Sequence, residues 1–517
     1  MERRDVLKLS ALAGATSVLT LAPVSFAAAS DSASAGGHSH GSGGVPPEGT
    51  VQSRVVTGHL PTGAADFVYL PVEVPRGVRQ IAVSYSYDRP AVPPGTQGNA
   101  CDIGIFDQHG TDVGGRGFRG WSGGARTEFT ISAETATPGY LAGPVGTGTW
   151  HVVLGPYTVA PQGLDYSVTV TLTYGAPAAP QVPNYPPDHA PGRGRAWYRG
   201  DCHLHTVHSD GKRTVEQLAA LARAAGLDFI NSSDHNTTSA HAYLGDVSGD
   251  DLLVLTGEEV TTRNGHYLAI GLDAGEWIDW RYRARDDAFG RFTRQIRRAG
   301  GIVVPAHPYA PSLASQWKFG YDDVDAIEVW NGPWTLDDEL TLLTWDNLLT
   351  GAARRGDGHW IPAMGNSDAH RDPDVVGLPQ TVVLADGLNR RAVQAGLRAG
   401  TSWIAESAAV QVSFSASGPR GEHAGIGERL PVARDASVTV RLEASGVPAG
   451  AVVRLMTDEG QMVGALLPAS GVLEWNTTAS IASYVRAEVR RPAADGGASG
   501  LPGPALAITN PIWLGRK

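Results

Sequence analysis

The chain changes its hydropathic rhythm twice. Between residues 51 and 175, apolar and polar positions alternate in short runs at 66–74, 80–87, 101–107, 148–154 and 165–172. The runs are rich in β-branched residues and are separated by Gly, Pro and Asp. Strand side chains point alternately to opposite faces, so this rhythm predicts half-buried strands, and their spacing predicts a β-sandwich or jelly roll. From residue 197 the apolar runs become continuous, at 229–233, 252–257, 301–306 and 361–367, with segments of helical period between them. Thr214 caps a helix that reaches Ala225 and stops at Gly226, with Val215, Leu218 and Leu221 on its inner face. Further helices are predicted at residues 287–299, 336–354 and 390–399. Continuous apolar strands alternating with helices predict an α/β barrel. After residue 409 the all-β rhythm returns, at 410–415, 436–444, 452–456 and 483–489.

The continuous runs end in residues able to do chemistry, and the active site of an α/β barrel lies at the C-terminal ends of its strands. His203 and His205 are two residues apart and can share one face of a strand, and the turn after them returns Asp210. The run at 229–233 leads to Asp234, His235 and Asn236, and the run at 252–257 leads to Glu258 and Glu259. His266 follows, then His307 after the run at 301–306, then Asp368 and His370 after the run at 361–367. Neutral imidazoles, anionic carboxylates and room for water are what a hydrolytic metal site needs.

In order, HLH at 203–205, SDG at 209–211, SDHN at 233–236, GEEV at 257–260, GH at 265–266, AHP at 306–308 and SDAH at 367–370 resemble the motifs of the PHP (polymerase and histidinol phosphatase) superfamily. More closely, the set is similar to the CehA/McbA-type metallohydrolases. The resemblance covers roughly residues 197–410. It implies a distorted (β/α)7 barrel holding two or three divalent metal ions. Residue by residue, it implies that His203, His205, Glu259 and Asp368 hold one ion. Glu259 bridges to a second, completed by His266 and His307, and Asp210, His235 and His370 hold the third. The family pattern of Gly, any residue, Glu and an apolar residue selects Glu259 over Glu258. Strand alternation turns Glu258 the other way, as a surface acid or a support to the ligands. The resemblance also makes Asp368, His370 and His307 the candidate catalytic residues, the two histidines being placed to shuttle protons as well as to ligate. Imidazole and carboxylate without thiolate suit Zn, Mn or Fe. Candidate substrate contacts are Asn236, Arg263, Asn331 and Trp334, with Trp330 and Asn366 beside them. His208 reads as a loop residue, His241 and His359 match no ligand position, and His38 and His40 lie in a solvated Gly/Ser-rich stretch.

Length and charge narrow the class. A chain of 517 residues is too long for one core. Residues 2–8 resemble a twin-arginine export motif, an apolar stretch runs to about Val24, and Ala27-Ala28-Ala29 offers a cleavage site. The expected organisation is therefore a signal peptide over 1–29, a linker over 30–50, a β-sandwich over 51–175 and a Pro-rich linker over 176–196. A metallohydrolase barrel over 197–408 and a C-terminal β-sandwich over 409–517 complete it. The apolar stretch is short for a membrane span, so export into the periplasm or beyond is expected, with no stable span in the mature chain. A net charge of -11 gives no basic footprint for nucleic acid, although Arg281 to Arg285 and Arg291 to Arg298 are locally basic. The two cysteines, Cys101 and Cys202, make no disulfide framework, and Cys202 reads as a small core residue.

The leading expectation is an exported metal-dependent phosphoesterase that uses a metal-bridging hydroxide on a small-molecule ester. The CehA/McbA resemblance implies a carboxyl or carbamate ester hydrolase as the alternative. The flanking β modules leave a non-catalytic glycan or cell-wall binder as a third class. Lys212, Arg213, Arg263 and Arg371 are the cations near the motifs that a phosphate would call on. Nothing in the sequence sets an oligomeric state.

Overall fold

The computed structural model describes residues 45–312, 315–494 and 502–516. The proposed signal segment, with His38 and His40, lies outside them. Residues from Val45 onward form one compact unit.

The first part consists of two four-stranded antiparallel sheets. One runs in the order Val51–Leu60, Leu164–Tyr174, Val78–Tyr87, Glu128–Ser132, and the other Val68–Val74, Gly148–Thr158, Ala100–Phe106, Phe118–Gly123. The strand Val68–Val74 shows why they face each other: Leu70, Val72 and Val74 are buried while Pro71 and Glu73 are exposed. Val72 lies opposite Trp150 in the register, and Ile81, Ile103, Ile131 and Val152 fill the space between the sheets.

In the middle part, the strands Ala196–Asp201, Phe229–Asn231 and Leu253–Leu255 are parallel, and Gln380–Ala385 joins antiparallel to the first. Gly257–Thr262, Gly265–Ile270 and Ile302–Ala306 form a separate antiparallel sheet, and Ile327–Asn331 pairs with Ala363–Asn366 in parallel. This pairing does not show the closed (β/α)7 barrel that the resemblance implies. Parallel neighbours need crossover connections of a dozen or more residues. Here only residues 263 and 264 separate the strands at 257–262 and 265–270, a tight turn in which Gly265 takes φ +115°.

Four α-helices occur among the described residues, Val215–Ala224, Phe289–Arg298, Leu336–Arg355 and Arg390–Ala399, all in this middle part. Thr214 caps the first through a capping box with Gln217. Its buried face is Val215, Leu218, Ala219 and Ala222, and Leu221 is 40% exposed. Leu221 is six residues beyond Val215, which at 3.6 residues per turn places it about 240° round the helix. The expected inner position for Leu221 is therefore corrected.

The arginine-rich stretches are also not surface patches throughout. Arg281 is buried and donates to Asp279, Tyr69 and the carbonyls of Thr111 and Asp112. Arg283 pairs with Asp66 at 2.6 Å. Both fasten the middle part to the first sandwich. Phe118 stacks on Trp277 with ring centroids 4.3 Å apart, and the two parts share one aromatic core.

The strands after residue 409 divide between two sheets. His423–Gly425, Gln411–Ser417, Val438–Ser445 and Val472–Thr477 form one. Ala505–Thr509 instead pairs with Ser402–Ala405, so that it, Tyr484–Arg490 and Val452–Thr457 extend the sheet of the middle part.

Candidate metal centre

The nine residues expected to bind metal converge at one place. Their ligating atoms form four overlapping groups in which every atom lies within 4.8 Å of the others. The groups are His203, His205 and Asp368; His203, Glu259 and His307; His235, Glu259 and His266; and His205, Asp210, His235 and His370. Glu259 is the hub. Its carboxylate is fully buried and lies 3.3 Å from His203, 3.4 Å from His205, 2.7 Å from His235, 2.9 Å from His266 and 3.1 Å from His307. Asp368 Oδ1 sits 3.2 Å from His203 and 3.0 Å from His205, and Asp210 sits 3.3 Å from His370. His235 thus adjoins Glu259 as well as Asp210, a link that the residue-by-residue assignment leaves out.

The backbone is bent to serve this convergence. His307, Asp368 and Asn236 have φ of +30°, +50° and +52°. Non-glycine residues rarely adopt this left-handed region, and such strain gathers at functional sites.

Whether these residues fit metal ions is decided by what they leave unpaired. His203 Nε2, both ring nitrogens of His205, Glu259 Oε2, His307 Nδ1 and Asp368 Oδ1 are buried and make no hydrogen bond. Burying polar atoms without partners is costly, and four of the orphans, His203 Nε2, His205 Nε2, Glu259 Oε2 and Asp368 Oδ1, face one another across 3.0–3.4 Å. A cation satisfies them together, so the donor set fits divalent metal.

Electrostatics point the same way. Burial opposes charge on His235, but the carboxylates of Glu259 and Asp210 outweigh it and hold its pKa up at about 10. His203 rises well above its ordinary value against burial, through Asp368, Glu328 and Glu259. His205 falls to about 4 through burial and the neighbouring His370 and His235, and so stands neutral, ready to ligate. Burial would raise Asp368 and Glu259, yet the surrounding histidines hold both carboxyls well below the usual range.

A shell of hydrogen bonds orients these groups. His203 Nδ1 meets Glu328, which also accepts from Asn331, Asn366 and the His307 backbone N–H. His370 Nδ1 lies 2.8 Å from the Asp368 carbonyl, which turns its Nε2 toward Asp210. Asp201 accepts from Ser367 and from the Gly377 N–H, and Asp234 accepts from Thr206 and Ser209. Such partners fix the ring orientation of ligating histidines. Sequence reasoning missed Glu328. Its signal was a single charged residue inside the apolar run 326–330, where it is 1% exposed.

Two cavities adjoin the cluster. One, about 440 Å³, is lined by Asp210, His235, Asn236, Arg263 and His266 together with aromatic residues of the first sandwich. The other, about 550 Å³, is lined by His307, Asn331, Asp368, His370 and the acids Asp337, Asp338 and Asp374.

The remaining candidates separate accordingly. Asn236 and Arg263 line the first cavity and Asn331 the second, but Arg263 donates to the carbonyls of Pro156 and Tyr157. Trp334 lines neither; it packs edge-on to Trp330 and beneath Arg490. Trp330 and Asn366 are buried, with Asn366 accepting the Cys202 N–H. Glu258 is fully buried rather than on the surface; it accepts the Ile278 N–H and is absent from the metal groups. His208 is buried against Ser239, and His241 against the Gly257 carbonyl. Both cysteines are buried and free.

No protein-family model matches the chain, and no curated protein matches it. Among solved structures, it is similar to a two-domain protein containing a predicted PHP-like metal-dependent phosphoesterase from Bacteroides vulgatus, at 16% identity over 65% of this chain and 100% of that one, with a TM-score of 0.33. A candidate metal-dependent phosphoesterase from Bifidobacterium adolescentis matches at 22% identity over 37% of this chain and 92% of that one, with a TM-score of 0.26. An amidohydrolase from Chromobacterium violaceum matches at 19% identity over 34% and 89%, with a TM-score of 0.25. What the centre does is read from its side chains.

Proposed function

We propose that the protein is an exported metal-dependent hydrolase of PHP type that acts on phosphoesters with two or three divalent cations. The observation that carries this reading is the set of four unpaired buried atoms, His203 Nε2, His205 Nε2, Glu259 Oε2 and Asp368 Oδ1, that face one another. Divalent cations held there would make water acidic enough to attack at neutral pH and would neutralise the oxyanion of a phosphoryl group. His203, His205 and Glu259 would hold the deepest position together with Asp368, which also lines the second cavity, while Asp210, His235, His266 and His370 face the cavities where substrate would enter. Glu328 fixes the His203 ring, and Asn331 holds both Glu328 and Asp368 in place. His370, with its Nδ1 anchored on a carbonyl, presents Nε2 at the cavity edge, where it would hold an ion with Asp210 and His235 or, were that position empty, pass a proton to a leaving group.

One observation favours a second reading. Of the four nearby cations, Lys212, Arg213 and Arg371 line neither cavity, and Arg263 is held by backbone carbonyls. A dianionic phosphate monoester gains little from such walls. A singly charged phosphodiester or a neutral carboxyl or carbamate ester of CehA/McbA type gains as much from the metals alone.

The test is hydrolysis of bis-p-nitrophenyl phosphate, p-nitrophenyl phosphate and p-nitrophenyl acetate by metal-loaded protein, with Asp368→Ala alongside. Turnover of either phosphate that the variant loses supports the phosphoesterase, whereas metal-dependent turnover of the acetate alone supports the second reading.

A further inference from the structure

The cavity of about 440 Å³ has a wall that the metal centre does not explain. Besides His235 and His266, it is lined by Phe67 and Trp121 of the first sandwich and Trp280 of the middle part. Phe67 meets Trp121 and Trp280 edge-on at 6.1 and 6.2 Å between centroids, and the two tryptophans tilt together at 4.9 Å. This box exposes ring surface to the cavity and holds its own shape.

Asp102 lies in the same wall, on the strand Ala100–Phe106. Among the described residues its carboxylate forms no hydrogen bond and no ion pair. Arg263 lies near, but its guanidinium donates to two carbonyls and sits 4.8 Å from the Tyr157 ring centroid. Beside Asp102 the chain runs through Gly123 and Gly124, which keep the space open. A Cβ added at Gly124 would lie 3.4 Å from Asp102 Oδ1, an ordinary contact, and Gly124 does not need a left-handed backbone.

We propose that this cavity is the subsite for the organic group of the substrate, and that it selects a flat aromatic or cyclic group bearing a hydroxyl or amino donor, which Asp102 accepts. The proposal rests on the reading of the neighbouring cluster as the reacting centre. Ligand pockets of this kind combine apolar walls with a few polar groups that fix orientation. Burial pushes the Asp102 carboxyl up to about 6, against the nearby charges of Arg263 and His235. A matching ligand supplies that donor, and one without it leaves the carboxylate unpaired, the situation in which polar sites discriminate most sharply. The first sandwich then belongs to the active site: it chooses the group that the metals cleave off.

Calorimetric titration of the metal-loaded full-length protein with 2-naphthol, 2-methoxynaphthalene and 2-naphthoate tests this. The expected result is that 2-naphthol binds about tenfold or more tightly than its methyl ether, the value of one hydrogen bond to a charged group. Binding of 2-naphthoate, whose carboxylate Asp102 repels and the metals attract, is expected to be lost on chelation. Asp102→Ala should erase the preference for 2-naphthol, and Gly124→Leu should fill the cavity and remove binding of all three, with metal content unchanged in both. The two wild-type ligands make the comparison even where a variant fails to fold. Equal binding of 2-naphthol and its ether would overturn the proposal. So would 2-naphthol binding that chelation removes and Asp102→Ala leaves intact. Naphthol discrimination without hydrolysis of any p-nitrophenyl phosphate would overturn the phosphoesterase and leave the subsite standing.

Discussion

The protein buries charge in two places, and the two differ in what they leave unfinished. Where the helix Leu336–Arg355 meets the strand Tyr484–Arg490, Arg486 and Arg490 grip Glu488 at 2.8 and 2.6 Å. Arg486 also reaches Asp346, Arg490 reaches Glu339, and Arg454 meets Glu488 at 3.0 Å. None of these charged atoms is among the buried orphans. Around Glu259, by contrast, a comparable number of buried charged and polar groups leaves six atoms without hydrogen bonds. A complete network locks two elements together, while an incomplete one is the mould of something that binds. Glu258 marks the boundary: its Oε1 is also unpaired, but it has no convergent partners, and burial raises its carboxyl well above the ordinary range, toward the neutral form.

The sharpest way to break the comparison is Asp368→Ala. It should abolish metal-dependent turnover and leave the metal-free chain folded, measured by rate assay and circular dichroism. Glu488→Ala should do the reverse. It leaves two buried arginines uncompensated, with an expected loss of about 3–5 kcal/mol of stability. Metal content of the molecules that still fold should be unchanged. Adding metal at about 100 times its Kd should raise wild-type stability by about 2.7 kcal/mol. A shift of similar size in Asp368→Ala would show that the position shared by His203, His205 and Asp368 is not what binds the metal. Glu328→Gln should lower metal affinity by about 10–100-fold without emptying the site, since it removes an orienting partner and no ligand.

The smallest effect is on acid stability. Glu488 is held down at about 2 by Arg486, Arg490 and Arg454, against a burial penalty, from an ordinary 4.5. Its folded pKa is depressed, so its contribution is full above pH 4.5 and is lost as pH falls toward about 2. Denaturant midpoints across that window should drop in wild type and flatten in a variant carrying Glu488→Gln and Arg486→Met.

Much of the metal cluster was legible because its residues end apolar runs, and a ligand at a strand end interrupts hydrophobicity visibly. The helices were legible for a similar reason, through Thr214, Gly226 and Gly400 at their ends. Tertiary partners were not. Glu328 looks like a mid-strand anomaly until His203 is placed against it. The edge strand Val51–Leu60 is mostly exposed and so carries no alternation to read. The joining of Ala505–Thr509 to Ser402–Ala405 spans about a hundred residues, a separation that no local pattern encodes. The aromatic wall was equally hidden, because Phe67, Trp121 and Trp280 lie far apart in the chain and meet only when the sandwich docks.

The left-handed backbone at His307 and Asp368 sets stability and activity against each other. Glycine relaxes in that region where other residues strain, and asparagine, as at Asn236, tolerates it best of the rest. Asp368→Gly and His307→Gly should therefore relieve strain, and either enriches in a selection for thermal resistance of the metal-free chain wherever that relief exceeds the lost attraction between the group and its buried partners. Each such winner would be inert. Directed evolution of this scaffold for robustness needs catalysis in the screen from its first round, or it will select the active site away.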